Sequence, residues 1–142
     1  MALMGPTTVD TMADDRAAER KPRRRWRDKF REAFRGLKVG IRGHSSFFVH
    51  FFMAAIVIAA AIVLGCDLKE WAILIGCIGA VLTAELFNSA IETLYRGFDV
   101  TVRESCRKSL DIAAGAVLMA SIAAAAIGTL VLGARVLNVL GW

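Results

Sequence analysis

WAILIGCIGAVLTAELFNSAIE (Trp71–Glu92) is the stretch whose reading decides the fold. Trp71–Thr83 is an apolar run. It leads without a break into Ala84-Glu85-Leu86-Phe87-Asn88-Ser89-Ala90-Ile91-Glu92, so two carboxylates and an amide close a segment long enough to cross a bilayer. At roughly 100° per residue, positions 85, 88 and 92 fall on one helical face. An ionisable group within or beside a membrane span costs at least ~2.5 kcal/mol unless it is paired, hydrated or bound. Two readings follow: an interior site at the membrane edge, or an interhelical hydrogen-bonding patch that only holds helices together.

The rest of the chain supports a membrane setting. At 142 residues it is one domain by length, and its 56% hydrophobic content is too high for an ordinary small soluble domain. Of the 18 Lys and Arg, twelve lie between Arg16 and Arg42, and the net charge is +5. No RNA- or DNA-binding module is visible, so no nucleic-acid partner is expected. A basic segment just before a hydrophobic run fits anionic lipid head groups better. Cys66, Cys77 and Cys106 form no CxxC pair and, with His44 and His50, no zinc-type spacing. Cys77 reads as a small apolar filler.

The expected architecture is an all-α integral membrane protein: three transmembrane helices preceded by a basic interfacial amphipathic helix. Residues 1–22 are polar, carry Pro6 and Pro22, and read as a disordered tail rather than a signal peptide. The membrane-embedded domain is 23–142. Over 25–42, Trp26, Phe30, Phe34, Leu37 and Ile41 recur at three- and four-residue steps among Arg and Lys, as in helices that lie in the interface plane. Gly36 and Gly40 weaken that helix but permit close helix contact. Spans are expected over about 46–64, 71–92 and 110–132. A short turn at Gly65–Glu70 and a polar stretch, Arg96–Ser109, separate them. The third span is rich in Ala and Gly, which lets helices approach closely.

Lys and Arg counts set the orientation. The N-terminal region has twelve, the 93–109 connection four, the 65–70 turn one and the segment after 132 one. The positive-inside rule places the N-terminus in the cytoplasm and the C-terminus outside. Glu85, Asn88, Glu92 and Asp111 then all fall toward the cytoplasmic interface. Arg107 and Lys108 precede Asp111 by about one turn and supply cations beside it. Carboxylates facing one another at an interface suit hard cations such as Mg²⁺, which take oxygen ligands and a substrate phosphate. A further carboxylate can accept the proton of a hydroxyl nucleophile. Phosphoryl transfer needs little beyond positioning, a metal and cations around the phosphates. No Walker A loop, kinase Gly-rich loop or dinucleotide fingerprint is present.

AELFNSAIE (84–92), Asp111-Ile-Ala-Ala-Gly-Ala-Val-Leu (111–118), Phe34-Arg35-Gly36-Leu37-Lys38 and the three-span plan resemble the prokaryotic diacylglycerol kinase family, which includes the undecaprenol kinases. The resemblance covers about 28–132. It implies a small homotrimer of the bacterial plasma membrane, with composite sites between subunits at the cytoplasmic surface. It also implies transfer of the γ-phosphate of ATP, with Mg²⁺, to the hydroxyl of a membrane lipid, either diacylglycerol or undecaprenol. Carried over by position, Glu85 is the general base and Asn88 orients groups beside it. Glu92 is a metal ligand, and Asp111 belongs to the nucleotide-phosphate and metal environment, where Arg107 or Lys108, about one turn earlier, is the expected substitute for the cation the family carries just before that Asp. Two positions depart from the family pattern. His44 stands where a metal-binding Glu is usual, and Leu110 where a Lys is usual. Those departures motivate a second reading, a non-catalytic protein of the same fold. A third is a small transporter or channel subunit whose acidic face lines an ion path.

Overall fold

The computed structural model describes residues 25–42 and 45–141. The expected tail at 1–22 and the candidate ligand His44 lie outside the described residues. Among those described there are four helices and no strand: α1 (Trp26–Arg42), α2 (Ser46–Val63), α3 (Leu68–Gly97) and α4 (Val100–Leu140). The last three are long and apolar enough to cross a membrane, which gives a multi-pass helical membrane architecture.

Contacts divide the chain into two units, one ending at Arg35 and one starting at Gly36. The described part of the first unit is the start of α1. There Trp26 and Phe30 stack at 6.5 Å, and Lys29 Nζ sits 4.9 Å from the Trp26 ring. No residue of α1 is buried; Trp26, Phe30 and Phe34 are all exposed. Exposed apolar residues at helical spacing amid Arg and Lys are what an interface-lying helix presents. Of the two glycines, Gly36 meets nothing, whereas a Cβ on Gly40 would stand 2.9 Å from Leu86 Cδ2.

In the second unit, α2, α3 and α4 run up and down against one another, with α3 and α4 packed most extensively. The buried side chains form stripes. Phe47, Ala54 and Ala61 recur every seven residues on α2. On α3 the stripe is Leu74, Val81, Glu85 and Ser89. The face that packs apolar side chains at one end therefore continues, at i+4 and i+8 from Val81, into a carboxylate and a hydroxyl. Ala113 and Gly128 are the buried positions of α4. Large apolar side chains such as Phe52, Ile62, Phe87 and Leu130 face outward, as lipid-facing positions do.

Backbone chemistry explains the turns. After α2, Gly65 takes φ +64°, its N–H bonds Ile62 O, and Cys66 N–H bonds Ala61 O. This is a Schellman end, which needs a residue free to enter the left-handed region. Asp67 then caps α3: its Oδ1 accepts from the N–H groups of Lys69 (2.8 Å) and Glu70 (2.9 Å). Glu70 Oε2 accepts in return from Asp67 N–H at 2.7 Å, completing a capping box.

The polar stretch at 96–109 differs from expectation. It is helical except around Phe98–Asp99. With 30 and 41 residues, α3 and α4 run about 45 and 60 Å, well beyond a ~30 Å hydrocarbon core. Helices that leave the bilayer keep their internal hydrogen bonds, so polarity here marks the membrane edge rather than a loop. Arg103 joins the two by donating to Arg96 O at 2.6 Å, covering a carbonyl in the last turn of α3.

Candidate functional site

At the end where α2 and α4 begin and α3 finishes, a polar cavity of about 470 Å³ opens between the helices. Its polar wall is Ser46 and His50 from α2 and Glu85, Asn88, Glu92 and Arg96 from α3. Ala114 and Val117 of α4 back it. The face read from the 85/88/92 spacing is thus the face that lines the cavity.

Glu85 is its deepest member, 2% exposed. A buried carboxylate needs hydrogen bonds or a counter-charge. Both come from α2. The Ser46 hydroxyl donates to Glu85 Oε1, and His50 Nε2 stands 3.8 Å from Glu85 Oε2. That separation lies in ion-pair range and beyond a hydrogen bond. Oε2 therefore keeps its lone pairs available toward the cavity. Glu92, nearer the aqueous end, is paired with Arg96 one turn on. Asn88 Oδ1 is buried with no hydrogen-bond partner, as is Ser89 Oγ. Thr93 caps the local backbone by donating to Ser89 O at 2.8 Å.

Among the described residues no group of three or more His, Cys, Asp or Glu side chains is placed to hold a metal ion by itself. The donors at the cavity are instead oxygens: the Glu92 carboxylate and the orphaned Asn88 Oδ1. Such a set fits a hard cation that takes one or two protein oxygens and completes its shell with water and substrate phosphates. It does not resemble a closed all-protein cage.

The other expected site residues lie elsewhere. Arg107, Lys108 and Asp111 are exposed on the first turns of α4 and do not line the cavity. Leu110 is half-buried beside them. Sequence reasoning missed Ser46 altogether. Nor does it join His50 to Glu85. The available signal was a hydroxyl and an imidazole one turn apart at the start of a span, on a chain already carrying an intramembrane carboxylate.

A second, apolar groove of about 330 Å³ adjoins the cavity at His50, which lines both. It runs between the three helices past Ala54 and Cys77 to Leu74 and Gly128.

A family model described as prokaryotic diacylglycerol kinase matches residues 31–132. The matched region contains α2, α3, most of α4 and the whole polar cavity. None of the curated proteins and none of the solved structures gives a match.

Proposed function

Since the chain belongs to the prokaryotic diacylglycerol kinase family, we propose that it is an ATP-dependent kinase of a membrane lipid alcohol, diacylglycerol or undecaprenol. The observation that carries this reading is Glu85. It is a carboxylate held in the packed interior at the edge of a span, with one oxygen anchored by Ser46 and the other facing a polar cavity. A carboxylate kept only for packing would have both oxygens satisfied.

In the proposed reaction, Glu85 Oε2 takes the proton of the lipid hydroxyl as that oxygen bonds the γ-phosphorus. The bond from phosphorus to the β–γ bridging oxygen breaks, and ADP leaves. Asn88 and Glu92 would hold Mg²⁺ at the aqueous side. The ion neutralises phosphate charge when bound. Arg96, beside Glu92, adds a further cation at the same mouth. Asp111, Arg107 and Lys108, exposed and outside the cavity of their own chain, are assigned in this reading to the cavity of a neighbouring copy. That assignment calls for a homotrimer with sites shared between copies, in which α4 of one copy faces the cavity of the next. The site end is cytoplasmic in this reading, with the N-terminus inside and the C-terminus outside the bacterial plasma membrane.

The test is labelled ATP with diacylglycerol and undecaprenol offered side by side to the purified chain in vesicles. Phosphorylated lipid is expected, and its absence with Mg²⁺ and Mn²⁺ alike overturns the assignment. A specific observation favours a second reading: Leu110 stands where the family usually carries Lys, and the basic pair of α4 lies outside the cavity. If only the doubly substituted His44→Glu, Leu110→Lys chain phosphorylates lipid, a non-catalytic protein of the same fold is the better description.

A further inference from the structure

We propose that His50 is an acceptor-binding residue: the lipid hydroxyl bridges His50 Nε2 and Glu85 Oε2, and the lipid chain descends into the apolar groove beneath. This deepens the kinase reading and rests on it for the identity of the acceptor.

The gap between the two side chains motivates the proposal. His50 Nε2 and Glu85 Oε2 are 3.8 Å apart, too far to bond each other, and both side chains are largely enclosed, 18% and 3% exposed. Two facing polar groups at that spacing in a packed interior lack a partner between them. An oxygen about 2.8 Å from each closes the triangle without moving either residue. A hydroxyl suits the place chemically, since it donates one hydrogen bond and accepts others. It donates to Glu85 Oε2, which is acceptor-only when ionised, and it accepts from His50 with hydrogen on Nε2. Ser46 already fills the other oxygen of Glu85, which fixes the carboxylate so that Oε2 is the one presented.

The surroundings say what the hydroxyl is attached to. His50 lines the polar cavity on one side and the apolar groove on the other. Along α3 the groove reaches from the level of Val81 and Leu82 toward Leu74, which lies eleven residues, or about 16 Å, before Glu85. It thus descends from the polar edge into the hydrocarbon region. Small side chains on its walls, Ala54, Ala124 and Gly128, leave the space open. A ligand that is polar at one end and hydrocarbon for the remainder matches both compartments. A water-soluble alcohol would fill only one. Ion conduction would use neither the groove nor a two-point hydroxyl contact.

The test uses the full chain in lipid nanodiscs and a long-chain primary alcohol carrying a diazirine on its tail. Crosslinking is competed by the same-length alcohol, its methyl ether and its deoxy analogue, and adducts are mapped by mass spectrometry. The wild type should prefer the alcohol over the deoxy analogue by about tenfold, the scale of one net hydrogen bond or slightly more. Adducts should fall on α2–α4 groove residues such as Cys77. His50→Leu and His50→Asn should both reduce the preference to within about twofold, because neither presents a donor at that reach. His50→Gln, which restores an N–H there, should recover most of it. Preference in His50→Leu or His50→Asn equal to wild type overturns the proposal, as do adducts confined to the outer lipid-facing surface. The assay needs no catalysis. Wild type that discriminates alcohol but phosphorylates no lipid refutes the kinase reading alone, whereas phosphorylation without discrimination refutes this proposal alone.

Discussion

The two ends of the three-helix unit hold similar groups and use them in opposite ways. At the turn between α2 and α3, Asp67, Glu70 and Arg135 all bond backbone groups of the helix ends, and Asp67 is exposed to solvent. The two carboxylates cap the start of α3. Arg135, from the far end of α4, donates to the carbonyls of Leu64 and Gly65 and lies 4.0 Å from Glu70. These three side chains close orphaned helix ends. At the other end the carboxylate is buried more deeply, yet it leaves an oxygen facing a cavity, with an imidazole too far away to bond it and an amide oxygen with no partner. Solvent-reached carboxylates that cap a helix end mark a structural cluster. A buried carboxylate with an oxygen left open to a cavity marks a cluster waiting for a ligand.

Substituting one carboxylate at each end tests that contrast most strongly. Glu85→Gln keeps shape and hydrogen bonding to Ser46 and removes the base. Lipid phosphorylation should fall about 10²–10⁴-fold with oligomer size unchanged. Glu70→Gln should leave turnover within about twofold while weakening the cap. Turnover of Glu85→Gln within about threefold of wild type would place Glu85 with the structural carboxylates and dissolve the distinction between the ends.

Glu92 gives the next effect. Its carboxylate lines the mouth of the cavity with Asn88. Glu92→Ala should raise the half-saturating Mg²⁺ concentration at least about tenfold, since even outer-shell changes at metal sites cost that much. The KM for lipid should move far less. A Mg²⁺ titration that superimposes on wild type removes Glu92 from the metal site.

Much of this contrast was legible in the sequence because it rests on hydropathy and helical period. Three spans, the basic amphipathic helix and the shared 85/88/92 face follow from one-dimensional patterns. What escaped is what depends on the register of one helix against another. That Ser46 and His50 of α2 meet Glu85 is set by the register at which α2 packs on α3, and no local pattern encodes it. The helical continuation through 96–109 escaped because polarity and loop structure usually coincide in soluble chains but separate at a membrane surface. The capping box at Asp67–Glu70 was readable as D-x-x-E before an apolar run, and the turn reading simply stopped short of it. The separation of Asp111, Arg107 and Lys108 from the cavity was not readable at all, since a linear order of polar residues does not say which copy or face they serve.

Arg135 tests the structural end without touching the chemical one. It joins α4 to the α2–α3 turn through two carbonyls and Glu70. Arg135→Ala should destabilise the unit by about 1–2 kcal/mol, the loss of charged hydrogen bonds in a partly exposed setting. A thermal-shift measurement in detergent reads it. The kcat and the KM for ATP should stay at wild-type values. A loss of turnover without a loss of stability would mean the two ends are coupled through α4, and the contrast drawn above would be too sharp.

The smallest effect concerns Asp67, and it is a matter of pH. The N–H of Glu70 bonds the Asp67 carboxylate and, against an opposing cost of desolvation, holds it below the usual carboxylate range, with the N–H of Lys69 and then the charge of Arg135 adding to the pull. A carboxyl whose folded pKa is depressed contributes stability that is fully present above its unfolded value, near ~3.9. That contribution is lost as the pH falls through the lower folded value. The difference in melting temperature between wild type and Asp67→Ala should therefore be constant from neutral pH down to about 5 and shrink below about 4. Asp67→Asn supplies the control, because Asn also caps a helix but carries no titrating group. Its stability relative to Asp67→Ala should not change with pH. At the same turn, burial and the neighbouring Glu70 carboxylate push the Cys66 thiol up, against the pull of Arg135, so thiolate chemistry stays out of this window. Curves for wild type and Asp67→Ala that stay parallel to pH 3 would show that the cap does not respond to charge. The turn would then be held by the Schellman end and Arg135 alone.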